Sequence, residues 1–276
     1  MNYFQVTWHE ANMGVEKESE IWSTLKADAA IYFQGDDRFT SFLERRISQH
    51  DDYRRAFASL LTETLKIHVD AETDIASLVE EPIMCCSQLV HDSIDDLFAA
   101  FDRDPASRHV LEIFLFYRGF QALQVHRLAH YYWSDGRRSL ARYIQSISVK
   151  CFSMDIHPGA RIAGAVFIDH GTGIVVGETS RIDRNVSILH HVTLGGTGKN
   201  HGDRHPKICE GVLLGAGCKI LGNITVGRNS KIAAGSVVLK NVPEAVTVAG
   251  IPGKVIDMKR STVPAYDMDA YFDFQI

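Results

Sequence analysis

From residue 155 to residue 256 an aliphatic side chain returns every six positions. Ile156, Ile162, Ile168 and Ile174 form a first run, Ile182, Ile188 and Leu194 a second, and Ile208, Leu214, Ile220, Val226, Ile232 and Val238 a third. Gly, Ala or Asn fills many of the intervening places, as between Leu214 and Val226. A period of six suits neither a helix, at 3.6, nor an amphipathic strand, at 2. It is the signature of a hexapeptide parallel β-helix, in which three short strands make one triangular coil and the coils stack. Each aliphatic residue points into the prism, and small residues stand at the corners, where a Cβ crowds the turning backbone. The register breaks twice. Eight residues separate Ile174 from Ile182, a step that a bulge at Gly177 or Ser180 would absorb. Fourteen separate Leu194 from Ile208, so eight residues must leave the coil as a polar loop around 198–207. An insertion in a strict solenoid marks a binding face.

The rest of the chain reads as helical. At 276 residues, 45% hydrophobic and 23% charged, it can bury a core unaided. A net charge of −5 without a Lys/Arg block argues against nucleic acid or an anionic membrane as partner. The absence of a signal-peptide pattern or long apolar run points to the cytoplasm. Cys85, Cys86, Cys151, Cys209 and Cys218 form no CxxC pair and read as free thiols. Residues 1–18 read as a loose leader. Ile21, Trp22 and Leu25, then Phe39, Phe42, Leu43 and Ile47, are spaced for helix faces between 19 and 66. Two further helices are expected between 71 and 101, broken near Pro82. One more is expected over 105–132, with Asp104 as N-cap and Pro105 in its first turn, and a last one over 137–150. His126 and His130 have the spacing of a metal pair but no third ligand, so they read as a partly buried, hydrogen-bonded pair and no metal site is expected. Arg137 and Arg138 read as solvated charge near a helix end. Residues 259–276 have no period and read as a flexible arm.

Polar residues gather early in the solenoid, at Asp155, His157, Asp169 and His170. With a coil of about eighteen residues and coils about 4.8 Å apart, Asp155 is expected one coil below His170 and within reach of its imidazole. A carboxylate on one ring nitrogen fixes the tautomer and raises the basicity of the other, as a general base requires. His157, His190 and His191 read as structural or surface residues.

Six segments, in this order, resemble serine O-acetyltransferases, which open cysteine biosynthesis: residues 104–106, 119–124, 155–158, 169–170, 192–199 and 202–208. The match runs from about residue 80 to 256 and resumes at the last isoleucine. The resemblance implies an α+β chain: an N-terminal α-helical assembly domain over 1–150, a left-handed parallel β-helix of hexapeptide repeats over 151–258 with an extruded loop, and a C-terminal tail over 259–276. It implies acetyl transfer from acetyl-CoA, a cosubstrate rather than a bound cofactor, to the hydroxyl of L-serine. His170 would be the general base and Asp155 its orienting partner. Asp104 and Asp169 would hold the amino group and hydroxyl of serine, and Arg204 and His205 its carboxylate, which suits a planar guanidinium. Acetyl-CoA would lie along the stacked corners at Ala216 and Ala234, with Gly196, Thr197 and Gly198 opening the loop and Lys254 meeting the phosphates. Also implied are trimers with sites between neighbouring solenoids, pairing of trimers through the helical domains, inhibition by L-cysteine, and capture of Ile276 by O-acetylserine sulfhydrylase (cysteine synthase). A transferase for a sugar, an antibiotic or homoserine is the alternative; Asp104 and the Arg204-His205 pair suit a zwitterion better than a polyol. A γ-type carbonic anhydrase would need histidine ligands, but His190 and His191 are neighbours that point to opposite faces of a strand. A non-catalytic scaffold would not need the set Asp155, His170 and Arg204.

Overall fold

Helices come first and strands after. The computed structural model describes residues 15–32, 37–198, 201–257 and 263–268. In it α1 (Val15–Tyr32), α2 (Asp37–Leu43) with a π-helical turn over Glu44–Ser48, α3 (Tyr53–Lys66), α4 (Ile75–Cys85), α5 (Ser87–Arg103), α6 (Val110–Phe116), α7 (Arg118–Ser134) and α8 (Arg138–Phe152) precede the solenoid. Asp52 and Asp74 cap α3 and α4, their carboxylates accepting from the backbone N–H of Arg55 and Ser77. α7 is buried almost continuously from Gly119 to Ala129, so it is the central helix of the bundle. The expected loose leader is helical from Val15; residues 1–14 lie outside the described residues.

Three helical expectations are corrected. Pro82 lies inside α4, and the chain breaks at Cys86 instead. The missing proline N–H would orphan the Leu78 carbonyl, but Tyr132 Oη donates to it at 2.9 Å. The helix expected over 105–132 is two, α6 and α7. Asp104 caps the C-terminus of α5 rather than the N-terminus of a following helix, because Pro105 holds it extended (φ −93°, ψ 107°). Tyr117 is extended as well and separates α6 from α7. Finally, Arg137 is not simply solvated: it pairs with Glu81 and Asp135 and lies 4.4 Å from the Tyr132 ring centroid. The pair on α7 is buried and bonded in part, with His130 Nδ1 2.7 Å from Pro158 O. Among the described residues no group of three or more His, Cys, Asp or Glu could hold a metal ion.

The first coil is β1 (Asp155–Ile156), β2 (Arg161–Ile162) and β3 (Phe167–Ile168); the second is β4 (Val175–Val176), β5 (Arg181–Ile182) and β6 (Ser187–Ile188). β7 (Thr193–Gly195), β8 (Lys207–Ile208) and β9 (Leu213–Leu214) make the third, and β10 (Lys219–Leu221), β11 (Thr225–Val226) and β12 (Lys231–Ile232) the fourth. β13 (Val237–Val238) and β14 (Thr247–Ala249) continue the stack, and β15 (Lys254–Asp257) closes it by pairing antiparallel with β14, which covers the last edge. Strands stack in register into three sheets: β1-β4-β7-β10-β13 (sheet A), β2-β5-β8-β11 (sheet B) and β3-β6-β9-β12-β14-β15 (sheet C).

Register corrects one sequence expectation. Asp155 pairs with Val175 and Ile162 with Ile182, so Val176, not Ile174, continues the inward row after Ile168. The eight-residue step therefore lies between Ile168 and Val176, and its two extra residues belong to the corner containing Asp169 and His170. Ile174 is fully buried all the same, which is why its side chain mimics the repeat. The second break stands where expected, between β7 and β8. The tail is corrected in part: α9 (Pro264–Asp267) packs back on the middle coils, with Ala265 fully buried and Ser187 Oγ donating to Ala265 O at 2.8 Å. The rest of the expected arm, including Ile276, lies outside the described residues.

One buried ion pair joins the helices to the first coil. Asp96 of α5 accepts from Arg127 Nη2 at 2.7 Å, from Gln124 Nε2 and from Val166 N, while Arg127 also donates to Ile162 O and Ala163 O. Burial pushes the Asp96 carboxyl up to about 6 against the pull of Arg127 and the other donors. Arg127→Met strands that carboxylate among neutral donors and is expected to cost about 3–5 kcal/mol, read as a lower urea midpoint at unchanged slope.

Candidate active site

Asp169 and His170 stand at the corner between sheets C and A, where the two extra residues lie. Gly171 N donates to Asp169 O at 2.6 Å, a three-residue turn that holds His170 at φ +55°. A non-glycine residue there is strained, and such strain gathers at functional positions. The turn needs its glycines: a Cβ on Gly171 would lie 2.1 Å from Met154 Cε, and one on Gly173 2.2 Å from His191 Nδ1. The His170 side chain is 77% exposed, with Nε2 3.7 Å from Asp169 Oδ1. Its ring is 6.0 Å from that of His190 on the coil above.

Asp104 joins this corner from the helical side. Its carboxylate accepts from Ala106 N at 2.8 Å and Tyr117 Oη at 2.7 Å. α7 reaches the corner because Gly119 lies against β3; a Cβ there would be 2.0 Å from Ile168 O. Burial raises the Asp169 carboxyl, and Asp104 pushes it the same way while His170 and His190 oppose. Two carboxylates facing one space suit an ammonium group.

Arg204 and His205 stand at a different corner, between sheets A and B. His205 lies over Gly177, where a Cβ would come within 2.0 Å of its ring. Thr179 N donates to His205 Nδ1 at 3.2 Å, and Thr179 Oγ1 accepts from the backbone N–H of both Arg204 and His205. With Nδ1 an acceptor, Nε2 carries the proton; burial, then the charge of Arg204, lowers the His205 pKa and keeps the ring neutral. Arg204 Nη2 donates to Glu178 Oε2 at 2.8 Å. Lys207 Nζ holds the base of the loop through Asp203 Oδ1, Thr179 O and His205 O. Gly196 lies beside Arg204 and His205, and Thr197 beside Gly222.

A third set continues upward from His190 along the corner between sheets C and A. Gly217 N donates to His190 O, and Gly235 N to Ala216 O, so Ala216 and Ala234 belong to consecutive turns of that corner. A Cβ on Gly217 or Gly235 would meet nothing within 4 Å, so the backbone there is open to a ligand. Lys254 pairs with Ala249 at the top of the same corner and is exposed.

One geometric expectation fails. The first coil spans twenty residues rather than eighteen, so Asp155 stacks on Val175, a corner away from His170. Asp155 Oδ1 accepts from Gln145 Nε2 at 2.5 Å, and among the described residues no ion pair joins it to His170. His190 and His191 are not on a strand with opposed side chains: both occupy the turn after β6, their rings 5.5 Å apart. Sequence reasoning also passed over Glu178 and Thr179, which brace Arg204 and His205, and Tyr117. Their signal lay in the register, since Glu178 and Thr179 follow Gly177 directly beneath the loop.

Residues 21–125 match the family described as "Serine acetyltransferase, N-terminal", and residues 205–240 match "Bacterial transferase hexapeptide (six repeats)". A serine acetyltransferase of Escherichia coli K12 is 42% identical over 261 residues, covering 95% of this chain and 96% of its own length. The chain belongs to the serine acetyltransferase family. Its solenoid is thus a left-handed β-helix of hexapeptide repeats. A serine acetyltransferase solved in complex with cysteine superposes with a TM-score of 0.88 at 40% identity, covering 92% of this chain and 99% of that one. One from Brucella abortus, solved in complex with coenzyme A, gives 0.85 at 43%, covering 91% and 100%.

The raised Asp169 pKa has a direction in stability. The folded chain binds that proton more tightly than the unfolded one, so stability is lost as pH rises through the folded value. Asp169→Asn is expected to melt higher than the parent at neutral pH, with the gain shrinking as pH falls into the ordinary carboxylate range, measured as melting temperature against pH.

Proposed function

We infer that the chain is a serine O-acetyltransferase, moving the acetyl group of acetyl-CoA to the hydroxyl of L-serine to give O-acetyl-L-serine and CoA. The observation that carries the reading is the pair of half-sites: two carboxylates with an exposed, strained histidine on one corner, and a guanidinium with a neutral imidazole on another. Together they fit the ammonium, hydroxyl and carboxylate of an amino acid. Asp104 and Asp169 bind the ammonium and position the hydroxyl; Arg204 and the Nε2–H of His205 bind the carboxylate. His170 takes the hydroxyl proton as oxygen attacks the thioester carbonyl, and returns it to the departing CoA sulfur. The thiol is a good leaving group, so direct transfer in a ternary complex suffices.

The half-sites flank sheet A and do not meet within one chain. A trimer with sheet A turned towards its neighbours brings the Asp169-His170 corner of one chain to the Arg204-His205 corner of the next, and two trimers then pair through the helical domains. Asp155 is exposed on sheet A, so its place as the residue that orients His170 is across that interface. Acetyl-CoA lies along the corner of Ala216 and Ala234, its phosphates near Lys254 and its thioester towards His170, with Gly196, Thr197 and Gly198 at the mouth of the loop. The relative solved with coenzyme A supports this use of the fold.

L-Cysteine differs from L-serine by one atom and meets the same groups, so it inhibits in competition with serine; a relative solved with cysteine supports this. Five unpaired cysteines suit the reducing cytoplasm. The decisive assay is CoA release from acetyl-CoA with L-serine, L-homoserine and a sugar panel as acceptors. His170→Ala is expected to lower kcat at least about a hundredfold with acetyl-CoA binding kept; near-normal turnover in a folded variant would sink the mechanism.

The partner assigned to the C-terminus is cysteine synthase, whose active site must capture an amino-acid carboxylate and can take the carboxylate of Ile276 in its place. Deleting Ile276 is expected to weaken that complex at least about tenfold, as burial of one aliphatic side chain implies, while acetyl transfer stays unchanged. Calorimetry showing equal affinity for both lengths would remove Ile276 as the anchor.

A further inference from the structure

Arg103, the last residue of α5, immediately precedes Asp104 and is 4% exposed. Its guanidinium donates to Val186 O at 3.3 Å and Ser187 Oγ at 3.2 Å through Nη1, and to Asn185 Oδ1 at 3.2 Å through Nη2. These acceptors are neutral, and burial lowers the Arg103 pKa against the opposing pull of Tyr266 and of the Asp102 and Asp96 carboxylates. A buried cation that gives these hydrogen bonds to neutral acceptors rather than to a carboxylate is a costly way to fill space, and what it supplies is fixed geometry. Arg103 fixes two things at once. It ties the end of α5, and so the backbone of Asp104, to the turn that enters β6. Three residues beyond Ser187, the turn after β6 places His190 beside His170.

The outer side of this tie is closed by the C-terminal segment. Tyr266 lies over the Arg103 guanidinium, 4.7 Å from ring centroid to Cζ. Ser187 Oγ, which accepts from Arg103, donates in turn to Ala265 O at 2.8 Å, and Ala265 N donates to Gly211 O at 3.3 Å. Tyr266 and Ala265 thus shield the guanidinium and hold the hydroxyl it binds.

We propose that Arg103 is a positioning residue of the acceptor site, clasped by residues 263–268, and that the C-terminal segment thereby tunes affinity for the amino acid. This rests on the reading of Asp104 as a ligand of the substrate ammonium. The contacts of the clasp reach none of His170, Asp169 or the residues assigned to acetyl-CoA, so its loss should act on serine binding rather than on the chemical step.

The test compares Arg103→Lys, Tyr266→Ala and Tyr266→Phe with Asp104→Asn in the full-length chain. Lysine keeps the charge but loses the fork, and displacement of a binding group by a fraction of an ångström should raise KM for L-serine about tenfold, with kcat within about twofold. KM for acetyl-CoA and the melting profile should hold. Tyr266→Ala should move the same constant about threefold, and Tyr266→Phe, which keeps the ring but loses the hydroxyl that bears on Arg103, should fall between it and the parent. If Arg103→Lys does not fold, the two Tyr266 variants decide alone. An unchanged serine KM in the folded clasp variants overturns the proposal, as does a matched loss in both KM values and kcat, which marks general loosening. A raised serine KM in Asp104→Asn with none in the clasp variants refutes the clasp and spares the site. An unchanged KM in Asp104→Asn removes the assigned role of Asp104, and the proposal with it.

Discussion

The buried pair of Asp96 and Arg127 is the constraint on which the geometry of this chain depends. A solenoid's first coil has no coil beneath it, and here the helices take that place. Arg127 spends two of its donors on Ile162 O and Ala163 O, and Asp96 accepts from Val166 N, so the two charges satisfy the backbone of the first coil as well as each other. Because neither can move without leaving a buried charge unpaired, α5 and α7 are fixed against the prism. The end of α5 then carries Asp104, and Gly119 near the start of α7 allows contact with β3 close enough for Asp104 and Asp169 to share one space.

Within the stack, the candidate site residues sit where the period fails. A strict hexapeptide corner also carries outward side chains, as His190 and His191 show. The two extra residues after Ile168 make room for the left-handed turn at His170, and the loop after β7 brings Arg204 and His205 back onto Thr179. Both departures are stapled at their base, one by Gly171 N to Asp169 O and the other by Lys207, so the added length does not loosen the strands on either side.

The solenoid was legible because one aliphatic residue in six leaves a strong trace, and the loop because its insertion shifts that trace by a large step. The smaller insertion was misplaced for a physical reason: Ile174 and Val176 are both buried aliphatics two residues apart, and period alone cannot say which faces into the prism. That error carried over into the expected contact of Asp155 with His170, which assumed an eighteen-residue coil. The break at Tyr117 was hidden because apolar residues continue through it. Pro82 reads as a breaker until Tyr132, fifty positions on, is known to satisfy the freed carbonyl. The docking of Ala265 and Tyr266 left no periodic trace, since a single helical turn is too short to show one. Family motifs supplied the candidate site residues, whereas the bracing role of Glu178 and Thr179 emerges only from stacking.

Registered stacking also bears on how such a chain can change over generations. An inserted residue inside a strand would turn every later side chain of that coil inside out, so length can vary only at corners where residues already leave the prism. In this chain those include the corner of His170 and the corner of the 196–206 loop, each lengthened, and the corner between Val238 and Val242, which is two residues short. Gains and losses of residues during descent should therefore collect at these corners, two of which carry the candidate site residues, while the core stays the same.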